Sequence, residues 1–185
     1  VFLPHSQESI QANAGVKRFG GAWTNFDKKN YRLKFRPEYG ARKLNFPLFK
    51  GFENGFLTAD AFDEIDLRGG GHDMNSRGFY MSARFAEDTM LEMGSLNPHG
   101  RFVHVYFNGE YWGQYHARER LTDAFLADYL GGPSEDYVNI RGNDNAGSSF
   151  VPGTPDPVNR EPWEFVLANR GSYERIKDWI DMPHF

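Results

Sequence analysis

The chain has 185 residues, 39% of them apolar and 16% aromatic, with 17 Phe, which is enough for one dense core. Against 25 Asp and Glu stand 21 Lys and Arg, and the formal charge of −4 lacks the basic excess of a general nucleic-acid binder. Cysteine is absent, which excludes disulfides and thiolate metal sites, and no run approaches the roughly 20 apolar residues of a membrane span.

In chain order, Val1 to Ile10 show neither the charged nor the apolar region of a signal peptide. The chain opens without Met and ends inside a patterned segment, so it reads as an excised piece. From Ile10 to Gly21 the pattern predicts a strand running into a glycine turn at Gly15, Gly20 and Gly21. Tyr31, Leu33 and Phe35 then alternate with Arg32, Lys34 and Arg36, the period of a half-buried strand, and Pro37 stops it. Ile65 and Leu67 mark another strand, ended by Gly69, Gly70 and Gly71.

From Ser76 to Met93 the period becomes helical. Phe79, Ala83, Ala86, Met90 and Met93 form the expected apolar stripe, with Gly94 as the stop. Two aromatic runs, Phe102 to Phe107 and Glu110 to Arg118, flank Asn108-Gly109, the preferred pair for a type I′ hairpin. Thr122 caps a short helix carrying Leu121, Phe125, Leu126 and Tyr129, which ends at Gly131-Gly132. A last strand is expected over Tyr137 to Arg141, then a polar loop over 142–160, then helical segments near Pro162–Asn169 and Ser172–Ile180.

Strands grouped around one early helix predict an α+β fold, mainly an antiparallel sheet with one packed helix. The divisions expected are a lobe over 1–141, a loop or insert over 142–160, and the start of a helical second lobe over 161–185.

Several residues bear chemistry. The basic face of the Tyr31–Arg36 strand, with Lys28 and Lys29 just before it, offers cations to a phosphate, or simply a solvated strand face. Gly15, Gly20 and Gly21 with Lys17 and Arg18 match no stringent phosphate-loop pattern, and an ordinary hairpin turn is the better reading. Arg84, Asp88 and Glu92 share a helix flank as a surface ion-pair ladder. Glu119, between Arg118 and Arg120, is read as locally paired by its neighbours. The histidines at 5, 72, 99, 104, 116 and 184 show no HExxH or paired-ligand spacing. His104 and His116 fall on the two strands of one hairpin, as expected cross-strand neighbours. Tyr106, Tyr111, Trp112 and Tyr115 suit a packed core or a sugar platform.

Taken in order, Lys28-Lys29-Asn30-Tyr31-Arg32-Leu33-Lys34-Phe35, Phe62 to Arg68, Glu87-Asp88-Thr89 with Met93-Gly94, and Val103 to Tyr115 continuing to Arg118-Glu119-Arg120 resemble the CotH family, named for a spore-coat protein. The match runs from about Ala14 to Ile140, and the Asn108-Gly109-Glu110-Tyr111-Trp112-Gly113 block is its most specific part. The resemblance implies a kinase-like fold whose small lobe this chain supplies, binding ATP with Mg2+ and phosphorylating serine on a protein substrate. By that analogy Lys34 or Lys29, with Arg32, would reach the phosphates, Asp88 or Glu87 would hold the lysine, and Glu119 would lie at the hinge beside the adenine. The acidic catalytic and metal-holding segments of the family are expected beyond Phe185, so this piece is expected to bind nucleotide weakly and not to turn over. A secreted or envelope location is implied as well. The alternative is a surface adhesin or binding module of the same family without catalysis.

Overall fold

The computed structural model describes residues 1–3, 7–20, 26–71, 73–74, 80–137 and 161–177. Nine strands are formed among them: β1 (Phe2–Leu3), β2 (Glu8–Ser9), β3 (Gly15–Phe19), β4 (Asn30–Lys34), β5 (Leu44–Asn45), β6 (Ala61–Phe62), β7 (Glu64–Arg68), β8 (Gly100–Phe107) and β9 (Glu110–Glu119). The helices are α1 (Ser82–Glu92), α2 (Asp123–Leu130), α3 (Glu161–Asn169) and α4 (Tyr173–Ile176). Five strands pair antiparallel in the order β3-β4-β7-β9-β8, and β1-β2 and β5-β6 form two small ribbons. The expected α+β architecture is what is found.

Alternation decides what each sheet face carries. Val16, Leu33 and Ile65 stand in register on one face, and Lys17, Arg32, Asp66 and Arg118 stand in register on the other. The apolar face packs into the core of Leu3, Phe35, Leu44, Phe46, Leu48, Phe49, Phe62, Ile65 and Ala117. Phe49 and Phe62 meet edge to face at 5.3 Å, so the β5-β6 ribbon and the loop between its strands close one end of that core.

The hairpin is formed as its sequence predicts. Asn108 and Gly109 both take positive φ, 51° and 87°, as a type I′ turn requires. Thr122 caps α2 by accepting from the Phe125 N–H at 3.2 Å. Gly94, at φ 83°, terminates α1, with its N–H on Leu91 O and the Ser95 N–H on Met90 O.

Helix α1 departs from expectation in its orientation. It buries Arg84, Glu87 and Leu91, while Met90 and Met93 are exposed. The reason is the sheet surface it meets: the face presented by β9 carries Arg118 and His116, so the helix turns its charged flank inward. Arg84 is therefore a buried residue and not part of a surface ladder. His104 pairs with Gln114 and His116 with Phe102, so the two histidines are not opposite one another. Tyr137 follows a 3-10 turn over Ser134–Asp136, and the remainder of the strand expected there, like the 142–160 loop and Ser76–Phe79, lies outside the described residues.

Candidate functional site

The charged sheet face is organised around two carboxylates of β7. Asp66, 2% exposed, receives Arg32 in a two-pronged contact, Nε to Oδ1 at 2.6 Å and Nη2 to Oδ2 at 3.0 Å. Glu64 draws in Lys34 at 3.1 Å, Arg32 at 3.6 Å, Arg36 at 4.0 Å and the Arg120 guanidinium. Burial alone would raise the Glu64 pKa, but the bonds and charges of Arg120 and Lys34 outweigh it and hold the carboxyl below its usual range. Burial likewise opposes the charge on Arg32, and the bond to Asp66 reverses that. Four cations thus converge on two carboxylates, a local excess of positive charge on a chain of net charge −4.

This cluster extends to α1. Arg118, the register partner of Asp66, pairs with Glu87, and Glu87 also meets Arg84 at 3.4 Å and His116 at 3.8 Å. His116 is buried among Arg84, Arg118 and Arg68, and burial first, then those charges, push its pKa down to about 3. It is held neutral.

The residues singled out in the sequence fall in different places. Arg32 and Lys34 lie at the centre of the cluster, as partners of Asp66 and Glu64 rather than of the helix. Lys29 stands immediately before β4, where its carbonyl and that of Lys28 lie against Gly69. Asp88 pairs with Arg84 at 2.7 Å and with Asn54 at 2.5 Å, so the expected pairing of Lys34 with Asp88 is replaced by two separate ion pairs. Glu87 reaches the sheet through Arg118 instead.

Glu119 is on the other side of the sheet from its neighbours Arg118 and Arg120, because successive strand residues alternate in direction. It accepts from the His99 N–H at 2.8 Å and the Tyr129 hydroxyl at 2.7 Å, and its Oε2 lies 2.9 Å from His99 Nδ1. His99 Nε2 lies 3.0 Å and 3.1 Å from the carbonyls of Glu53 and Phe56. Burial opposes the His99 charge, but Glu119 and these carbonyls prevail and raise its pKa. Glu119 is thereby paired internally with His99 and Tyr129.

Sequence reasoning missed Glu64, Asp66 and Arg68 as charged residues, although they alternate with Ile65 and Leu67. The same period that identified β4 marks them, once β7 is recognised as its neighbour. Arg68 lies 3.6 Å from Asp73 and within the fields of Arg118 and Glu87. The Lys28 ammonium sits over the rings of Tyr115 and Tyr80, at 4.8 Å and 5.1 Å, and donates to the Gln114 carbonyl.

No group of three His, Asp or Glu residues that could hold a metal ion occurs among the described residues. Glu64 and Asp66 are saturated by cations, so this cluster suits an anion and not a divalent metal. No helix among the described residues is long and apolar enough to cross a membrane.

An antiparallel α+β domain with a cation-rich sheet face against helix α1 is the class that fold and site define. The family model described as CotH kinase protein matches residues 16–182, and the chain belongs to that family. Its function is accordingly kinase-related. A search of curated proteins finds no match.

Proposed function

We propose that this chain binds the phosphates of ATP on the charged sheet face, at Lys34, Arg32, Arg36 and Arg120, within a kinase that phosphorylates serine on a protein. The observation that carries the reading is the excess of four cations over two carboxylates at Glu64 and Asp66. A triphosphate brings the missing negative charge and the acceptor oxygens that guanidinium and ammonium groups recognise. Within the five-stranded sheet, three strands (β3, β4 and β7), then α1, then the β8-β9 hairpin fit the small lobe of a protein kinase, where catalysis is largely positioning and charge stabilisation around the phosphates. Bound ATP would supply the transferable phosphoryl group, and Mg2+ its charge neutralisation. The described residues supply the cations. The CotH family resemblance also supports a secreted or envelope-associated location, and secretion of a tagged full-length protein tests that clause.

The test is calorimetric titration of ATP, with and without Mg2+, into wild type, Lys34→Ala and Lys29→Ala. A lost charge-assisted contact is worth roughly 1.5–3 kcal/mol, so Lys34→Ala should weaken binding by roughly tenfold to a hundredfold. If both variants bind as wild type does, the phosphate assignment is wrong. The competing reading, a surface-binding module of the same family, draws support from the exposed rings of Tyr106, Tyr111 and Trp112. It is favoured if neither wild type nor variants respond to ATP.

A further inference from the structure

We propose that β8 is a self-pairing edge, through which two copies of this chain join antiparallel into one continuous sheet. β8 is an outer strand of the five, and its eight residues, Gly-Arg-Phe-Val-His-Val-Tyr-Phe, contain no Pro, Lys, Asp or Glu. Those are the residues by which edge strands usually repel a second strand. The single charge, Arg101, is committed elsewhere: its guanidinium stacks over Phe52 at 4.6 Å and donates to Leu48 O at 3.3 Å. The opposite edge, β3, is shorter and carries exposed Lys17 and Arg18 side by side. One edge is guarded and the other is not.

The backbone is oriented for pairing. The Glu119 N–H donates to the His99 carbonyl, so odd-numbered residues of β8 turn their polar backbone groups toward β9. Phe102, His104 and Tyr106 therefore turn theirs outward, and none of the three makes a backbone bond outside the sheet ladder among the described residues.

The strand is also complementary to itself. With a two-fold axis at His104, Phe102 faces Tyr106 of the second copy, Val103 faces Val105, and Arg101 faces Phe107. Aromatic meets aromatic, aliphatic meets aliphatic, and no like charges are opposed. The fit extends to the sheet's apolar side, where a groove of about 1100 Å³ is lined by Leu33, Leu67, Val103 and Val105, with Phe102, His104 and Tyr106 also lining it. A second β8 would extend the sheet past that rim and bring its own Val103 and Val105 alongside. The occupant is thus a second copy of this chain. An unrelated extended peptide or an amphiphile in the groove would leave the chain monomeric.

Sedimentation velocity across a wide concentration range should show the mass rise from 21.3 kDa toward twice that value. His104→Pro removes an outward N–H at an edge position that tolerates proline, and Tyr106→Lys places a charge on a ring that is 61% exposed. Both variants should stay monomeric, the second serving if proline disturbs the fold by circular dichroism. Because the protein has no cysteine, His104→Cys gives a single thiol at the axis. Its counterpart would lie about 5.5 Å away between Cα atoms in a hydrogen-bonded pair, within disulfide reach. Mild oxidation should yield a linked dimer, whereas Lys17→Cys on the guarded edge should not. A wild-type mass constant at 21.3 kDa, dimers that persist in Tyr106→Lys, or equal cross-linking of the two cysteine variants would each overturn the proposal.

Discussion

Replacing Glu119 by Gln separates a structural role from a nucleotide-binding one. Glu119 and His99 are 2% and 0% exposed. Both ring nitrogens of His99 face acceptors, Glu119 Oε2 at one and the carbonyls of Glu53 and Phe56 at the other, so the ring is held as an imidazolium. The Tyr129 hydroxyl, also near Nδ1, spends its proton on Glu119 Oε1. Removing the carboxylate charge leaves that imidazolium without its counter-ion, a change worth roughly 3–5 kcal/mol for a buried pair. For a domain of this size each kcal/mol shifts the melting temperature by roughly 2–4 °C, so a fall of roughly 6–20 °C is expected. The pH dependence carries the same signature. The folded-state pKa of His99 is raised, so its contribution is complete below about 6.5 and is lost as pH rises through the folded value. Thermal melts from pH 6 to 9 should show wild type losing stability on the alkaline side and Glu119→Gln losing much less. A melting temperature unchanged in Glu119→Gln, together with weakened ATP binding, would refute this account and restore the hinge reading.

His116 predicts the opposite limb. Its pKa is depressed to about 3, so its contribution is present above about 6.5 and is lost as pH falls toward the folded value. Urea titrations between pH 6.5 and 5 should show a decline of up to roughly 1.4 kcal/mol per pH unit in wild type, largely absent in His116→Asn. Gly109→Ala should cost roughly 1 kcal/mol by chemical denaturation, since φ is 87° and an added methyl meets nothing within 4 Å. Gly55→Ala should cost more, on the order of 2 kcal/mol or above, because φ is 89° and the methyl would stand 2.5 Å from the Leu91 carbonyl. A cost for Gly55→Ala no greater than for Gly109→Ala would show that the 53–56 loop does not press on α1.

What the sequence made legible follows from the range of the interactions involved. The hairpin at Asn108-Gly109, the cap at Thr122 and the stop at Gly94 rest on residues within one turn of each other, and all three are formed as their local chemistry dictates. Periodicity also identified β4 as a half-buried strand, and Ile65 and Leu67 marked β7 as a strand. It could not pair those strands, and without pairing Glu64 and Asp66 had no relation to Lys34 and Arg32. The orientation of α1 was misread for a related reason. A stripe of Met and Ala is the ordinary core-facing pattern, but the surface opposite this helix is charged, so Arg84 and Glu87 are the better match. Glu119 shows the limit of sequence neighbourhood. Arg118 and Arg120 flank it in the chain, and strand alternation sends all three side chains to faces on which the true partners, His99 and Glu64, come from distant segments.

The charged groups form a connected series rather than isolated pairs. Glu87 on α1 holds Arg118, Arg118 stands opposite Asp66, Asp66 holds Arg32, and Arg32 shares Glu64 with Lys34, Arg36 and Arg120. Inside a protein each such contact matters more than on the surface, because burial removes the water that would screen it. An anion entering at Lys34 and Arg36 would compete with Glu64 for its cations, and the freed charge would be felt first by Arg32 and Arg120. The helix is fastened to the far end of the series through Glu87, with Arg84 bonded to the Pro98 carbonyl as a second anchor. Occupancy of the cluster and the seating of α1 are therefore linked through one electrostatic arrangement, and an anion held at Lys34 and Arg36 would be felt at the helix through Glu87.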